Sequence, residues 1–227
     1  MPPFKPPSRL CDDPALDYLP AGTTLWRVHH ANLRPEEFSA SPADSPWGGG
    51  RFDCTSADRF PFLYAALKPE TALCETLLRP LQSGHGWRHL VHASVRNRVL
   101  SCLATTSDLT LLSLAETTHL LKVCQDTWLV HAEGLDYTGT RDWACWLRHH
   151  VVKAQGFVWC SRRNLPEHSL VFFGDRCPAG SIRSGPEPPV RLDDQHGAEY
   201  LNEHLAAYRV TIGVPRKASG RVHIAGP

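Results

Sequence analysis

The sequence lacks any strong imbalance of charge and any long apolar run. Its 227 residues carry 24 Lys and Arg against 23 Asp and Glu, which gives a formal net charge of +1 at pH 7. Proteins that bind nucleic acid or anionic membranes through their overall charge need a basic excess. The best apolar run, residues 60–67, contains Pro61, and it is far shorter than the roughly 18 residues of a membrane-spanning helix. We therefore expect no direct binding to nucleic acid or to a membrane.

The N-terminal residues lack the apolar stretch of a secretory signal peptide and are instead rich in proline. The 8 cysteines are dispersed along the chain, and no two of them form a Cys-x-x-Cys pair. In a chain without an export signal, this dispersal favours reduced thiols that are buried as small apolar groups rather than disulfides. The sequence thus predicts a soluble cytoplasmic protein.

The usual signatures of metal, phosphate-loop and cysteine-protease sites are also missing. The chain has 13 histidines, but adjacent pairs such as His29-His30 point in different directions, and no His-Glu-x-x-His motif occurs. The glycine run at 48–50 is followed by Arg51 and lacks the Gly-Lys-Ser/Thr ending of a P-loop. No protease signature surrounds any cysteine. We predict no metal site.

What the chain does contain is enough apolar residues, 42%, to bury a core. We divide it into a Pro-rich N-terminal arm (1–22), a core domain (23–177) and a C-terminal part (178–227) with a connector, a short helix and a tail. Regular structure is expected to begin at Thr23. Strands are predicted at 24–29, 62–66, 90–95, 98–103, 157–161 and 169–173, and helices at 68–78, 109–123, 199–208 and after a cap at Thr140. This pattern has no internal repeat and indicates a single α+β domain.

Five polar or aromatic residues sit oddly for a purely structural role. Arg27 and Tyr64 lie inside apolar strands, and Arg51 follows three glycines. Glu75 interrupts an apolar helix, and Ser161 ends a strongly apolar strand. Taken singly, each has an ordinary explanation such as an ion pair, a core aromatic residue or the start of a turn. Only their occurrence as a set points to a site.

The spacing of this set resembles that of RES domains. The segments that carry the resemblance are Leu-Trp-Arg-Val-His at 25–29, Gly-Gly-Arg-Phe at 49–52, Tyr-Ala-Ala at 64–66, Glu-Thr-Ala-Leu-Cys-Glu at 70–75, Gly-Phe-Val-Trp-Cys-Ser at 156–161 and Leu-Val-Phe-Phe at 170–173. The family is named for an Arg, a Glu and a Ser, which here match Arg27, Glu75 and Ser161. The resemblance covers roughly residues 23–177.

The resemblance implies an enzyme that consumes NAD. RES-domain proteins are often the toxins of bacterial toxin–antitoxin pairs, and characterised members cleave NAD by phosphorolysis or hydrolysis. Their fold is similar to that of ADP-ribosyltransferases, with small mixed or antiparallel sheets and flanking helices. By this likeness NAD is a substrate rather than a tightly bound cofactor, and inorganic phosphate is a candidate co-substrate. The family also implies a helix-turn-helix antitoxin that covers the NAD pocket. A homo-oligomer stays open.

On this interpretation, Glu75 stabilises the positive charge that develops on the ribosyl group when the N-glycosidic bond breaks. Arg27 joins it as a catalytic residue that holds phosphate oxygens, and Ser161 orients the substrate. Arg51 is assigned to a phosphate group of NAD or to the attacking inorganic phosphate. Tyr64 is expected to contact the nicotinamide riboside.

The glycine run at 48–50 has a matching explanation, because Gly50 and its neighbours allow the backbone to approach the dinucleotide closely. Glu70 lies nearby on the same predicted helix, and we expect it to play no part. Two other functions stay open at this point. One is ADP-ribosyl transfer to a macromolecule, which is disfavoured because Glu75 has no Glu-x-Glu partner. The other is an inactive module that only binds a nucleotide or a partner.

Overall fold

The secondary structure comes from a computed structural model that describes residues 5–79, 81 and 86–215. In the N-terminal half, the elements are β1 (Leu16–Leu19), β2 (Thr24–His30), β3 (Phe62–Ala66), α1 (Pro69–Leu77), β4 (Arg88–Leu90), α2 (His92–Val95), β5 (Arg98–Thr105) and β6 (Leu109–Ser113). They are followed by α3 (Thr117–Lys122), α4 (Trp128–His131), α5 (Tyr137–His150), β7 (Gly156–Cys160), β8 (His168–Phe173), β9 (Ile182–Ser184), β10 (Val190–Arg191), α6 (Gln195–Leu205) and β11 (Val210–Ile212). Single 3₁₀ turns lie at Gly134–Asp136 and Ala206–Tyr208. In this part of the chain, no helix is long and apolar enough to cross a membrane.

One large mixed sheet organises the molecule. Its strand order is β1-β6-β7-β8-β3-β2-β5-β10, and β9 pairs additionally with β5. The β6–β7 pair is parallel, and the chain between these two strands supplies α3, α4 and α5. A separate parallel pair joins β4 to β11. The predicted α+β class, with mixed sheets and flanking helices, is confirmed.

The middle of the large sheet is split. β2 pairs with β5 along its whole length from Thr24 to His30, and β3 pairs with β8 along its whole length. Between β2 and β3, however, Trp26 and Ala66 are the one matched pair in the described register. Because the two strands separate beyond this pair, they leave an opening bordered by two strand edges.

Helix α1 lies beside this opening and is held there by its apolar face. Pro69 occupies the first turn, where a missing N–H costs nothing, and Leu73 and Leu77 follow four residues apart on one side. Both leucines are at most 2% exposed and pack in one cluster with Leu201 and Leu205 of α6. Replacing either α1 leucine with alanine would cost about 2–5 kcal/mol. The packing therefore fixes how the polar side of α1 faces the opening.

Several sequence expectations are wrong. Regular structure begins before Thr23, because β1 pairs with β6 at the sheet edge. Residues 109–123 are not one helix: Leu109–Ser113 is a strand with apolar side chains buried on both faces, which hides the alternation that marks half-buried strands. Residues 90–95 are not one strand, since β4 ends at Leu90 and α2 begins at His92.

Further corrections concern helix starts and cysteines. α5 begins at Tyr137, so Thr140 lies within the helix instead of capping it. α6 begins at Gln195, with the Asp194 carboxylate accepting a hydrogen bond from the Gly197 amide. Cys11 and Cys124 form a disulfide, contrary to the expectation of reduced thiols alone. Their separation of 113 residues left no local signature. The predicted connector contributes β9 and β10 to the sheet, while residues 1–4 of the arm and 216–227 of the tail lie outside the described residues.

Candidate active site

A cavity of about 470 Å³ opens where β2 and β3 separate. Three consecutive β2 residues, Trp26, Arg27 and Val28, line it. Consecutive side chains of a strand point to opposite faces, so it is the edge of β2 that borders the cavity. The other walls come from β3, from α1 and from Trp159 of β7. Gly48, Gly49 and Gly50 add a further wall from the glycine loop, as we call residues 43–50. Five of the six predicted site residues line this cavity: Arg27, Gly50, Arg51, Tyr64 and Glu75.

The sixth predicted residue, Ser161, is bonded directly to Glu75. The Ser161 hydroxyl donates to Glu75 Oε1 over 2.6 Å and accepts from the amides of Arg163 and Asn164 at 3.3 and 3.2 Å. Ser161 is fully buried, whereas Glu75 is half-buried at the cavity. The Ser161 hydroxyl donates one hydrogen bond and accepts two, so its own position is fixed. It can therefore hold the Glu75 carboxylate in one orientation. The carboxylate thereby keeps its second oxygen for a ligand.

The glycine loop is held in place by a buried arginine of α5. Arg141 donates to the carbonyl oxygens of Ala43, Ser45, Gly48 and Gly50, at distances of 2.6–3.0 Å. Its guanidinium is fully buried. Since a guanidinium offers five N–H donors in a fixed plane, one side chain can collect several backbone carbonyls and define the shape of the loop.

Tyr64 and Gly50 meet on the cavity side of this loop. The Tyr64 hydroxyl oxygen accepts from the Phe52 amide at 2.9 Å, and the Gly50 amide donates to Asp53 Oδ2 at 2.8 Å. A Cβ atom on Gly50 would lie 2.6 Å from the Tyr64 hydroxyl oxygen, so glycine is required for this close approach. Burial, together with the Asp53 charge, raises the pKa of Tyr64 well above its usual value, so the hydroxyl is neutral at physiological pH.

The two predicted arginines are both buried, but they are held differently. Arg27 donates through Nη1 to the carbonyls of Pro35 and Glu37 at 2.6 and 2.7 Å. Burial lowers the pKa of Arg27 to about 10, so it remains a cation at neutral pH. Arg51 lies 5.8 Å from the Trp159 ring, and its Nη2 is 3.5 Å from the Ala132 carbonyl. Arg27 is thus partly committed to the loop after β2, whereas Arg51 makes one long hydrogen bond.

Four residues that line the cavity carry a buried polar atom with no hydrogen-bond partner among the described residues. These atoms are Arg51 Nε, Asp53 Oδ1, Trp159 Nε1 and Ser169 Oγ. Leaving such a group unpaired costs about 1–3 kcal/mol, so native proteins rarely keep several together without a use for them. A bound ligand can supply the missing partners of such groups where they lie at the wall of a cavity.

The family model for the RES domain matches residues 24–193. The chain belongs to the RES-domain family. Among solved structures it is similar to the M. tuberculosis MbcT-MbcA toxin-antitoxin complex, with a TM-score of 0.53 and 16% identity over 76% of this chain and 85% of that chain. At 16% identity, this similarity shows a shared fold and nothing more specific. A comparison with curated proteins gives no match. At the level of the family, RES membership supports an NAD-related toxin.

The cavity between β2 and β3, which we call the RES cavity, is also lined by two arginines that the sequence interpretation missed. Arg79 follows Glu75 by four residues, and its Nη1 donates to the Gly49 carbonyl at 3.0 Å. Arg98, at the start of β5, is half-buried, and its guanidinium has no hydrogen bond or ion pair within the described ranges. Arg79 lies two residues beyond the end of α1, so no helical spacing marked it. Arg98 carried no signal, because the pairing of β5 with β2 is non-local.

The other acidic candidate on the helix is turned away from the RES cavity. Glu70 Oε1 lies 2.7 Å from Nδ1 of His204, on the side of α1 that faces α6. It does not line the cavity. No group of three or more His, Cys, Asp or Glu side chains in the described part of the chain could hold a metal ion.

Proposed function

We propose that this RES-domain chain cleaves the N-glycosidic bond between nicotinamide and ribose in NAD, and that it acts as a toxin. The observation that carries the proposal is the Ser161–Glu75 pair at the wall of a cavity that also holds several arginines. The cavity volume of about 470 Å³ falls in the range of small-molecule and cofactor sites.

The bond to nicotinamide breaks through a transition state in which positive charge develops on the ribose. The electron pair of the C–N bond leaves with the ring, so the pyridinium departs as neutral nicotinamide. An anion fixed beside the ribose stabilises this state more than the substrate, because the substrate ribose is uncharged. Glu75 supplies that anion, and Ser161 keeps its carboxylate oriented without being consumed. In phosphorolysis, an oxygen of inorganic phosphate then forms the new bond to the ribose carbon. In hydrolysis, a water oxygen forms that bond and releases one proton to the solvent.

The arginines of the cavity are expected to bind the pyrophosphate of NAD. The pyrophosphate of NAD is a dianion, and guanidinium groups bind phosphate oxygens in a bidentate manner. Arg51 and Arg98 are the best placed, because neither is saturated by contacts within the described residues. Arg27 contributes charge while its Nη1 anchors the neighbouring loop. The Tyr64 ring forms part of the wall for the nicotinamide riboside, while its hydroxyl oxygen accepts from the Phe52 amide just after the glycine loop.

The direct test is to incubate the purified protein with NAD and to follow nicotinamide release by chromatography. Glu75→Gln keeps the size of the side chain and removes its charge, so we expect turnover to fall by about 100-fold or more. The matched control is Glu70→Gln, which removes a carboxylate from the same helix on the side facing His204 and should leave turnover unchanged. Equal activity of Glu75→Gln and the wild type would contradict the mechanism.

The same assay separates the two chemical outcomes. If NAD loss depends on added inorganic phosphate and the product carries a phosphate on the ribose carbon, the reaction is phosphorolysis. If NAD loss is independent of phosphate and yields ADP-ribose, the reaction is hydrolysis. Absence of nicotinamide release by the wild-type protein under both conditions would overturn the proposed function.

A partner is part of the proposal. The structural neighbour is a complex of a toxin with its antitoxin, which supports an antitoxin for this chain as well. We propose a helix-turn-helix antitoxin that covers the NAD cavity. Co-expression of the antitoxin should restore the growth of cells that produce the wild-type protein. Cells that produce the Glu75→Gln protein should grow without the antitoxin. Toxicity of the Glu75→Gln protein equal to that of the wild type would argue against NAD loss as its cause.

A further inference from the structure

The polar side of α1 is bound along its length by the loop between β7 and β8, residues 161–167. Lys68 is the N-cap residue of α1, and Thr71 and Glu75 lie four residues apart within the helix, so Thr71 and Glu75 share one of its faces. The Lys68 ammonium pairs with Glu167 Oε1 at 2.5 Å, and the Thr71 hydroxyl oxygen accepts from Asn164 Nδ2 at 2.8 Å. With the Ser161–Glu75 bond, the loop contacts the N-cap residue and two successive turns of the helix.

Asn164 is the centre of this arrangement. Its backbone amide donates to Ser161 Oγ at 3.2 Å, and its side-chain amide group donates to Thr71, which is fully buried. Its side-chain oxygen accepts from the hydroxyl of Tyr208 at 2.7 Å. Because one end of the carboxamide faces an acceptor and the other end a donor, its orientation is fixed by its partners.

Tyr208 reaches Asn164 from the C-terminal segment that follows α6. This segment lies beyond residue 193, where the match to the RES domain ends. It is anchored there, since the Tyr208 carbonyl accepts from Arg88 Nη2 at 2.9 Å. Burial raises the pKa of Tyr208 to about 12, so its hydroxyl remains a donor at neutral pH.

We propose that Tyr208 is a positioning residue for the reaction, acting through Asn164 on Ser161 and thereby on Glu75. The C-terminal segment then contributes to the geometry of the active site. This inference rests on the proposed cleavage of NAD. Groups that stabilise a transition state must be held within fractions of an ångström, and a small displacement of a catalytic group lowers the rate without preventing binding. Loss of the Tyr208 hydroxyl leaves the Asn164 carboxamide held through Nδ2 alone and gives Ser161 more freedom to move.

The first test is Tyr208→Phe, which removes one hydroxyl oxygen. We expect kcat for NAD to fall about 2–10-fold, the usual worth of one hydrogen bond, with KM changed less. The matched control is Tyr200→Phe: Tyr200 lies in α6, stacks on His204, and makes no hydrogen bond to the 161–167 loop in the described structure. Its kcat should equal that of the wild type. An unchanged kcat for Tyr208→Phe would overturn the inference.

A double-mutant cycle separates positioning from general stability. If Tyr208 acts through Asn164, Tyr208→Phe should have no further effect on kcat in an Asn164→Ala background, because contacting residues are non-additive. A further loss of the same size in that background would refute the route through Asn164.

Hydrogen exchange tests the same contact without relying on turnover. The amides of Arg163 and Asn164 are bonded to Ser161 Oγ, and Tyr208→Phe should speed their exchange while Tyr200→Phe should not. If the wild type fails to cleave NAD, the proposed function falls, and faster exchange would still support the link from Tyr208 to Ser161. Unchanged exchange at both amides would overturn that link even in an active enzyme.

Discussion

Replacing Arg141 with methionine should dismantle the glycine loop and lower the stability of the whole protein. Methionine is similar in length and apolar, so it fills the space of the Arg141 side chain but donates no hydrogen bonds. In the wild type, the fully buried guanidinium donates to four carbonyl oxygens of the loop, at 2.6–3.0 Å. The variant therefore leaves four acceptors without this donor.

The magnitude follows from where those acceptors lie. Ser45 and Gly48 are exposed, so their carbonyls can turn to water, whereas Gly50 is buried and Ala43 is half-buried. Hydrogen bonds to charged groups contribute about 1.5–3 kcal/mol each, so losing the two protected ones lowers the free energy of unfolding by about 3–6 kcal/mol. For a protein of this size, about 2–4 °C of melting temperature corresponds to 1 kcal/mol. We expect the melting temperature to fall by about 6–24 °C.

The assay is thermal unfolding followed by circular dichroism, with limited proteolysis of residues 41–50 as a local readout. Arg79→Met is the matched control, because Arg79 is exposed and gives the same loop a single hydrogen bond, to the Gly49 carbonyl at 3.0 Å. An exposed bond of this kind contributes about 1 kcal/mol or less. If Arg141→Met lowers the melting temperature no more than Arg79→Met does, the reasoning about the buried guanidinium is wrong.

The elements that the sequence predicted well are those defined by local patterns. β2 and β3 alternate or run apolar over a few residues, and α1 shows its leucine spacing with proline at its start. The candidate site residues came from their order along the chain, and the structure gathers them around one cavity or bonds them to it. Their chemical roles stay predictions.

What the sequence could not supply depends on contacts between distant residues. Arg141 and the Gly50 carbonyl are 91 residues apart, and Tyr208 and Asn164 are 44 apart. No spacing rule links such pairs, because they meet only after the sheet has formed. One signal was nevertheless readable: Thr71 and Glu75 are four residues apart, so they share the face of α1 that lies opposite its leucines.

Two further predictions concern the loop and a buried histidine. Gly50→Ala should lower stability by about 1–3 kcal/mol and reduce NAD turnover, because its Cβ would lie 2.6 Å from the Tyr64 hydroxyl oxygen; Gly48→Ala meets nothing within 4 Å and should impair turnover less, although its positive φ of 90° adds strain. Equal turnover of the two variants would refute the steric argument. Burial lowers the pKa of His29, whose Nε2 lies 2.9 Å from Ser101 Oγ. Because the folded-state pKa lies below the unfolded value of about 6.5, the unfolded chain binds more protons, and stability present above that pH is lost as the pH falls towards the folded-state pKa. Urea unfolding at about pH 7.5 and 5.5, on either side of that value, should therefore show a smaller loss of stability for His29→Gln than for the wild type, and an equal loss in both proteins would show that His29 is not responsible.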